Sequence, residues 1–310
     1  MKKILITGVY GFMGRNIIDA WRERYDMIGT DLPPELWDSG GIESFHKTIP
    51  IYHYDLRDET HFLNPHLKNV DTVIHCAARA RIPPSWEYYS DYYETNITAS
   101  QRLFELAQTA GVETFLYFSS SSVYGNSSHD RQTESDQLAP TNPYAVSKLA
   151  AEYALQVQAL RGKTRLIIVR PFTMYGKYMN YGKTGLVIAR YLRAWMENEP
   201  LLLDGGGSQT RDFVHASDAI QALELAIEHA KHGEVFNVGS GQAVTIKQLA
   251  DCVSSKQIIS PERIGAVSRT CANISKLEKL GYEPQVDVLS WLTDYVEQLK
   301  LKTFNNKETQ

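Results

Sequence analysis

The chain has 310 residues, 43% of them hydrophobic and 22% charged, and a formal net charge of −4. These proportions suit a globular chain long enough for two domains, and so small a negative charge excludes an electrostatic case for nucleic acid as partner. Its three cysteines, Cys76, Cys252 and Cys271, have neither a disulfide-framework nor a metal-ligand spacing, so no metal is expected and a reducing compartment is. Lys2 and Lys3 precede an apolar run, but Thr7-Gly8 cuts that run short of a signal-peptide core or a membrane span. The expectation is a cytoplasmic protein without a membrane partner.

The first element is a strand over Ile4–Thr7, followed by Gly8-Val-Tyr-Gly11-Phe12-Met13-Gly14 and a helical apolar pattern. Strand, tight turn and helix in that order let the backbone approach a pyrophosphate, which the unpaired amides of the helix N-terminus would hold. A second strand, Met27–Thr30, runs into Asp31 about twenty residues after the glycines, where a carboxylate can accept both hydroxyls of a ribose. No Lys or Arg follows until Lys47, so a 2′-phosphate would meet negative charge without a cation. NAD is therefore expected over NADP.

Further strand-like runs at 50–54, Thr72–His75, Thr114–Phe118 and 165–169 alternate with helical patterns. Alternation of this kind predicts an α/β fold, a doubly wound parallel sheet of the Rossmann type. Ligands in such sheets bind beyond the carboxyl ends of the strands, where Gly8, Asp31, Asp55, Ala77-Ala78, Ser120 and Pro171 all fall. His75 reads as structural. A helix over 144–158 places Tyr144 and Lys148 four residues apart on one face. An adjacent ammonium favours phenolate, so Tyr144 can serve as a base toward an alcohol. Beyond residue 172 the strands thin out, and a smaller α/β substrate domain is expected over 173–310, with the option that the chain crosses back to the sheet. There Thr245 and Gln248 form a capping box that opens a helix running through Val253.

Over nearly its whole length the chain resembles the extended short-chain dehydrogenase/reductase superfamily, in its NAD-dependent nucleotide-sugar epimerase/dehydratase branch. The resemblance is carried by Thr7-Gly-x-x-Gly-x-x-Gly14, Asp55-Leu56, His75-x-Ala-Ala78, Ser119-Ser-Ser-Ser-Val-Tyr-Gly125, Pro143-Tyr-x-x-Ser-Lys148, Arg170-Pro-Phe-x-x-Tyr-Gly176 and Arg211-Asp-Phe-Val-His215. It implies that Tyr144 is the base, that Lys148 holds the nicotinamide ribose and lowers the tyrosine pKa, and that Ser120 is the catalytic hydroxyl. It further implies Asp55 and Leu56 at the adenine end, Asn96 in a structural role, and a homodimer paired through the helices near 95–110 and 144–158. Arg211 and Arg263 resemble diphosphate ligands, while Ser121, Thr173 and Thr270 resemble sugar-pocket positions, although Ala266 stands where relatives often have an acid.

Dehydratases of this branch carry Asp-Glu after the catalytic hydroxyl, and this chain has Ser121-Ser122 instead. The expected activity is therefore epimerisation at carbon 4 of a nucleotide sugar, a UDP-hexose, N-acetylhexosamine or uronate, through a 4-keto sugar that turns over before it is reduced on its other face. The alternatives are a dehydratase, decarboxylase or 4-keto reductase of the same branch, or a non-catalytic NAD-binding sensor or scaffold. A small Thr270 should admit N-acetylated sugars. Uronate is expected to be the poorer substrate, because the stretch 177–180 lacks the arginine that holds a carboxylate in uronate epimerases, with Lys177 or Lys183 as the only substitutes.

Overall fold

The computed structural model describes residues 1–36, 48–58, 64–182, 185–262 and 264–308. The strands are β1 (Lys3–Thr7), β2 (Asp26–Asp31), β3 (Ile51–His53), β4 (Thr72–His75), β5 (Thr114–Phe118), β6 (Arg165–Pro171), β7 (Thr173–Tyr175), β8 (Leu201–Asp204), β9 (Thr210–His215), β10 (Glu234–Val238), β11 (Ala243–Thr245) and β12 (Gln257–Ser260). Seven of them form one sheet in the order β10-β6-β5-β4-β1-β2-β3, with every pair parallel. The order reverses between β1 and β4, which opens a crevice at their carboxyl ends.

Both faces of the sheet are covered, which is why its strands are apolar throughout rather than alternating with polar residues. Ile4, Ile6, Ile74, Leu116, Ile167 and Val169 point to one side, against α1 (Phe12–Trp21) and the Ala219, Ala222 and Leu223 face of a helix near the middle of the second half. Leu5, Val73, Phe115, Leu166 and Ile168 point to the other. That side is covered by helices that follow the short α2 (Asn64–Leu67), α3 (Ile82–Ser85) and α4 (Tyr89–Tyr93), namely α5 (Ala99–Thr109) and α6 (Pro143–Ala159). Between α4 and α5 the helix widens by one residue over Glu94–Thr98.

The second lobe has its own core, in which Ile188 and Leu192 of α7 (Val187–Met196) meet Phe213, Leu201 and Leu203. After β9 the chain returns to the first lobe as α8 (Ala216–His229) and β10, then leaves again into β11 and α9 (Ile246–Val253). Residues 216–238 thus lie with the parallel sheet although they come after residue 172. Thr245 caps α9 and exchanges hydrogen bonds with Gln248. The short α10 (Ser275–Glu278) precedes α11 (Val288–Glu308), whose Leu292 and Val296 close the second core. Among the described residues, no helix is long and apolar enough to cross a membrane.

Candidate active site

Gly8 adopts φ +73°, and a Cβ there would lie 2.7 Å from the amide nitrogen of Ala77. A Cβ on Gly14 would lie 2.6 Å from Cα of Val9. Side chains are thus excluded where the β1 turn meets β4 and where α1 begins, leaving backbone amides facing the crevice. Gly11 is the N-cap of α1, and Phe12 and Met13 form its first turn, with Met13 buried and Phe12 touching the cores of both lobes. Asp31, buried at the end of β2, accepts from the amides of Tyr10 at 2.8 Å and Leu32 at 2.7 Å, so the β2 carboxylate is pinned against the glycine turn. Asp55 is clasped by Arg57 at 2.7 Å, and that contact holds its carboxyl below the usual range. Leu56 is buried in the sheet's lower core with Ile28 and Leu67. The Ala77 amide donates to Thr7 Oγ1 at 3.2 Å, and the Ala77-Ala78 step follows directly on β4. Pro171 closes β6 opposite Val238.

His75 lies between Thr7 Oγ1 at 2.7 Å and Ser100 Oγ at 2.8 Å, and burial pushes its pKa down to about 3. A neutral, doubly bonded imidazole in the core is a structural residue.

α6 starts at Asn142, whose side chain accepts from the Ala145 amide at 2.9 Å, with Pro143 preset for the first turn. Tyr144 therefore stands at the mouth of the helix. The β5 strand delivers Ser120 opposite it, in extended backbone that caps the turn Ser121–Tyr124. The Ser120 hydroxyl neighbours the Tyr144 phenol and favours its ionised form, and it accepts from Ser122 Oγ at 2.9 Å. Lys148, only 2% exposed, lies one turn on with its Nζ 4.5 Å from the centre of the Tyr117 ring.

The electrostatics differ from the sequence expectation. Burial is the largest influence on Tyr144 and raises its pKa, opposed first by the Ser120 hydrogen bond and more weakly by Arg81. Lys148 is not the influence that lowers it. Burial pushes Lys148 down to about 7, with Glu152 opposing, so its ammonium is itself only partly populated at neutral pH.

Two supports hold this group: Asn96, expected in a structural role, and Glu152, which escaped sequence reasoning. The Asn96 amide exchanges hydrogen bonds with the Arg79 backbone at 2.8 and 3.0 Å and donates to Ser147 Oγ at 2.8 Å, which in turn donates to the Tyr144 carbonyl at 2.7 Å. The widened helical turn presents Asn96 to both. Glu152, one turn beyond Lys148, pairs with Arg170 at 2.6 and 3.0 Å and accepts from the Ser119 hydroxyl. The one available signal was a charged residue at i+4 from Lys148 on an otherwise apolar helix face.

On the second lobe, Arg211 has a half-buried guanidinium that donates to the Thr210 carbonyl at 2.7 Å, and burial lowers its pKa. No carboxylate pairs with it among the described residues, which leaves a cation suited to an anionic ligand. Thr270, buried, donates its amide to the same carbonyl at 3.2 Å and so sits beside Arg211. Thr173 opposes Phe213 across β7 and β9. Ser121 is half-buried directly after Ser120. Arg263 and Lys183 lie outside the described residues. Lys177 is bound to Asp19 of α1 at 2.5 Å, away from Tyr144.

The sequence model of the NAD dependent epimerase/dehydratase family matches residues 4–239. The chain belongs to this family. A Bacillus subtilis (strain 168) member, named an uncharacterized UDP-glucose epimerase, is 29% identical over 95% of this chain and 96% of its own length. The human dTDP-D-glucose 4,6-dehydratase is 29% identical over 80% of this chain and 72% of that protein. MoeE5, solved with UDP-glucuronic acid and NAD, superposes with a TM-score of 0.85 at 31% identity, covering 97% of this chain and 99% of that one. The cofactor of this epimerase/dehydratase family protein is NAD, and the chain fits it: a glycine cradle that a Cβ would fill, a helix N-terminus, and a carboxylate at the end of β2.

Proposed function

We propose that the protein is a 4-epimerase of a UDP-sugar. The observation that carries this reading is the row Ser120-Ser121-Ser122, hydroxyls throughout and led by the Ser120 that neighbours Tyr144, where a dehydratase needs an acid and a base of its own to eliminate water. NAD, when bound in the cradle, supplies the two-electron acceptor and donor for carbon 4. Ser120 holds the 4-hydroxyl, and Tyr144 takes its proton. The Ser120 hydroxyl and, more weakly, the Arg81 guanidinium favour the resulting phenolate, and Lys148 is assigned to the nicotinamide ribose of the bound cofactor. Arg211, on the other lobe, keeps the diphosphate while the 4-keto sugar turns, and Tyr144 then returns the proton to the oxygen in its new orientation. Thr173, Ser121 and Thr270 line the sugar side of this reading, and Asp31, Asp55 and the Ala77-Ala78 step the cofactor side.

A homodimer belongs to the same proposal. Val146, Tyr153, Val157 and Leu160 are exposed along one face of α6, an apolar stripe suited to a second copy. Light scattering on the purified protein tests it.

The decisive assay offers a panel of UDP-sugars without added NAD to the wild type and to Tyr144→Phe, and separates products by chromatography. Inversion at carbon 4 by the wild type and a loss of at least about a hundredfold in the variant are expected. Near-normal turnover by Tyr144→Phe refutes the assignment.

A further inference from the structure

We propose that Arg81 receives a carboxylate on the sugar, so that the substrate is a nucleotide-linked uronate. The inference rests on the 4-epimerase reading and names its substrate class.

Arg81 follows the β4 loop and is the N-cap of α3. The Tyr92 hydroxyl donates to its carbonyl at 2.5 Å, and the Tyr92 ring stands edge-on to the Tyr144 ring with centroids 6.3 Å apart. This chain of contacts holds the Arg81 backbone one ring away from Tyr144, and the guanidinium is close enough to feel both phenols. Its side chain is half-buried, and among the described residues no carboxylate pairs with it. The neighbouring arginines are committed: Arg79 to Asp91 at 3.3 Å and Arg57 to Asp55 at 2.7 Å. The electrostatic neighbours of Arg81 are the phenols of Tyr144 and Tyr92, which are neutral at pH 7.

A guanidinium withdrawn from water without an anion is costly, and a bidentate carboxylate is the group that its fork fits. The substrate can supply one in the right place. In a uronate the carboxylate is carried by carbon 5, next to the carbon whose hydroxyl Tyr144 deprotonates. The Ser120 hydroxyl beside Tyr144, with the Ser122 hydroxyl bonded to it, adds hydroxyls there without repelling charge. Lys177, the lysine considered for this role from sequence, is tied to Asp19 instead. Arg81 thus supplies the cation that the stretch after Gly176 lacks.

The test compares wild type, Arg81→Met and Arg81→Lys on UDP-glucuronate and UDP-glucose, by kcat/KM and by titration calorimetry of binding to the NAD-loaded protein. The wild type should favour UDP-glucuronate. The ratio of glucuronate to glucose, in both readouts, should fall roughly 10- to 100-fold in Arg81→Met, the scale of one charge-assisted contact, and less in Arg81→Lys. An unchanged ratio overturns the proposal. So does an equal loss on both sugars confined to kcat with a displaced pH profile, which would make Arg81 a positioning residue acting through Tyr144. If no UDP-sugar is inverted at carbon 4 the epimerase reading fails, and the binding ratio still decides the role of Arg81.

Discussion

Replacing Glu152 by alanine should cost this protein a large share of its stability. The Arg170 and Glu152 side chains are 4% and 1% exposed and meet at 2.6 Å. Without the carboxylate, Arg170 keeps only the Tyr124 hydroxyl at 3.0 Å and the Glu134 carbonyl at 3.2 Å, and the Ser119 hydroxyl loses its acceptor. An uncompensated buried charge of this kind costs about 3–5 kcal/mol, against a total of roughly 5–15 kcal/mol for a folded domain. Urea denaturation of the apoprotein measures the difference. Glu152→Leu combined with Arg170→Leu removes both charges at once, and should lie within about 2 kcal/mol of the wild type. A loss below about 1 kcal/mol for Glu152→Ala, or a double variant worse than the single one, refutes the reasoning. Activity carries a second signature. The Glu152 charge raises the Lys148 pKa, so Glu152→Gln should move Lys148 titration below about 7 and shift the pH profile in the acid direction.

The same lysine predicts a pH-dependent stability. Its folded pKa, about 7, lies below the unfolded value, so the unfolded chain binds more protons above pH 7 and stability should rise from pH 7 to 9. Lys148→Met should flatten that rise by roughly 2 kcal/mol in urea melts at the two pH values, and an identical slope in both proteins counts against a buried ammonium. For the cofactor, the purified protein should release NAD on extraction and mass spectrometry, with NADP a poor substitute; predominance of NADP would overturn the role proposed for Asp31 and favour a reductase. Gly8→Ala forces a Cβ to within 2.7 Å of the Ala77 amide at φ +73° and should lower NAD affinity at least about tenfold while costing about 1–3 kcal/mol of stability. Unaltered NAD binding in that variant would show that the turn does not form the cradle.

What the sequence discloses here is what depends on local pattern. β4 and β5 run from Thr72 to His75 and from Thr114 to Phe118, as their apolar runs imply, and the helix expected over 144–158 is Pro143–Ala159. The cap of α9 is equally local. What it conceals depends on partners distant along the chain. Arg170 finds Glu152 across 18 positions, and neither residue has a neighbour that announces the other. Spacing alone shows Lys148 near Tyr144, but the direction of both pKa shifts comes from burial under α5, β5 and the β4 loop, which no four-residue interval contains. Arg81 is hidden for another reason. The stretch from Arg79 to Tyr93 carries adjacent prolines and a cluster of tyrosines without helical periodicity, so its side chains can be placed only once Tyr92 is seen against Tyr144.

The chain crosses between its lobes at Phe172, at Ala216 and after Val238, and these passages are joined: the Phe172 amide donates to the Val238 carbonyl at 2.8 Å, and β7 lies against β9 through Tyr175 and His215. The lobes are stitched along a seam instead of hanging from one tether. Wide parting would tear the seam's hydrogen bonds, so the easy motion is a narrow flexing about it. In the 4-epimerase proposed above, such an enclosure would retain the keto sugar while leaving it space to rotate.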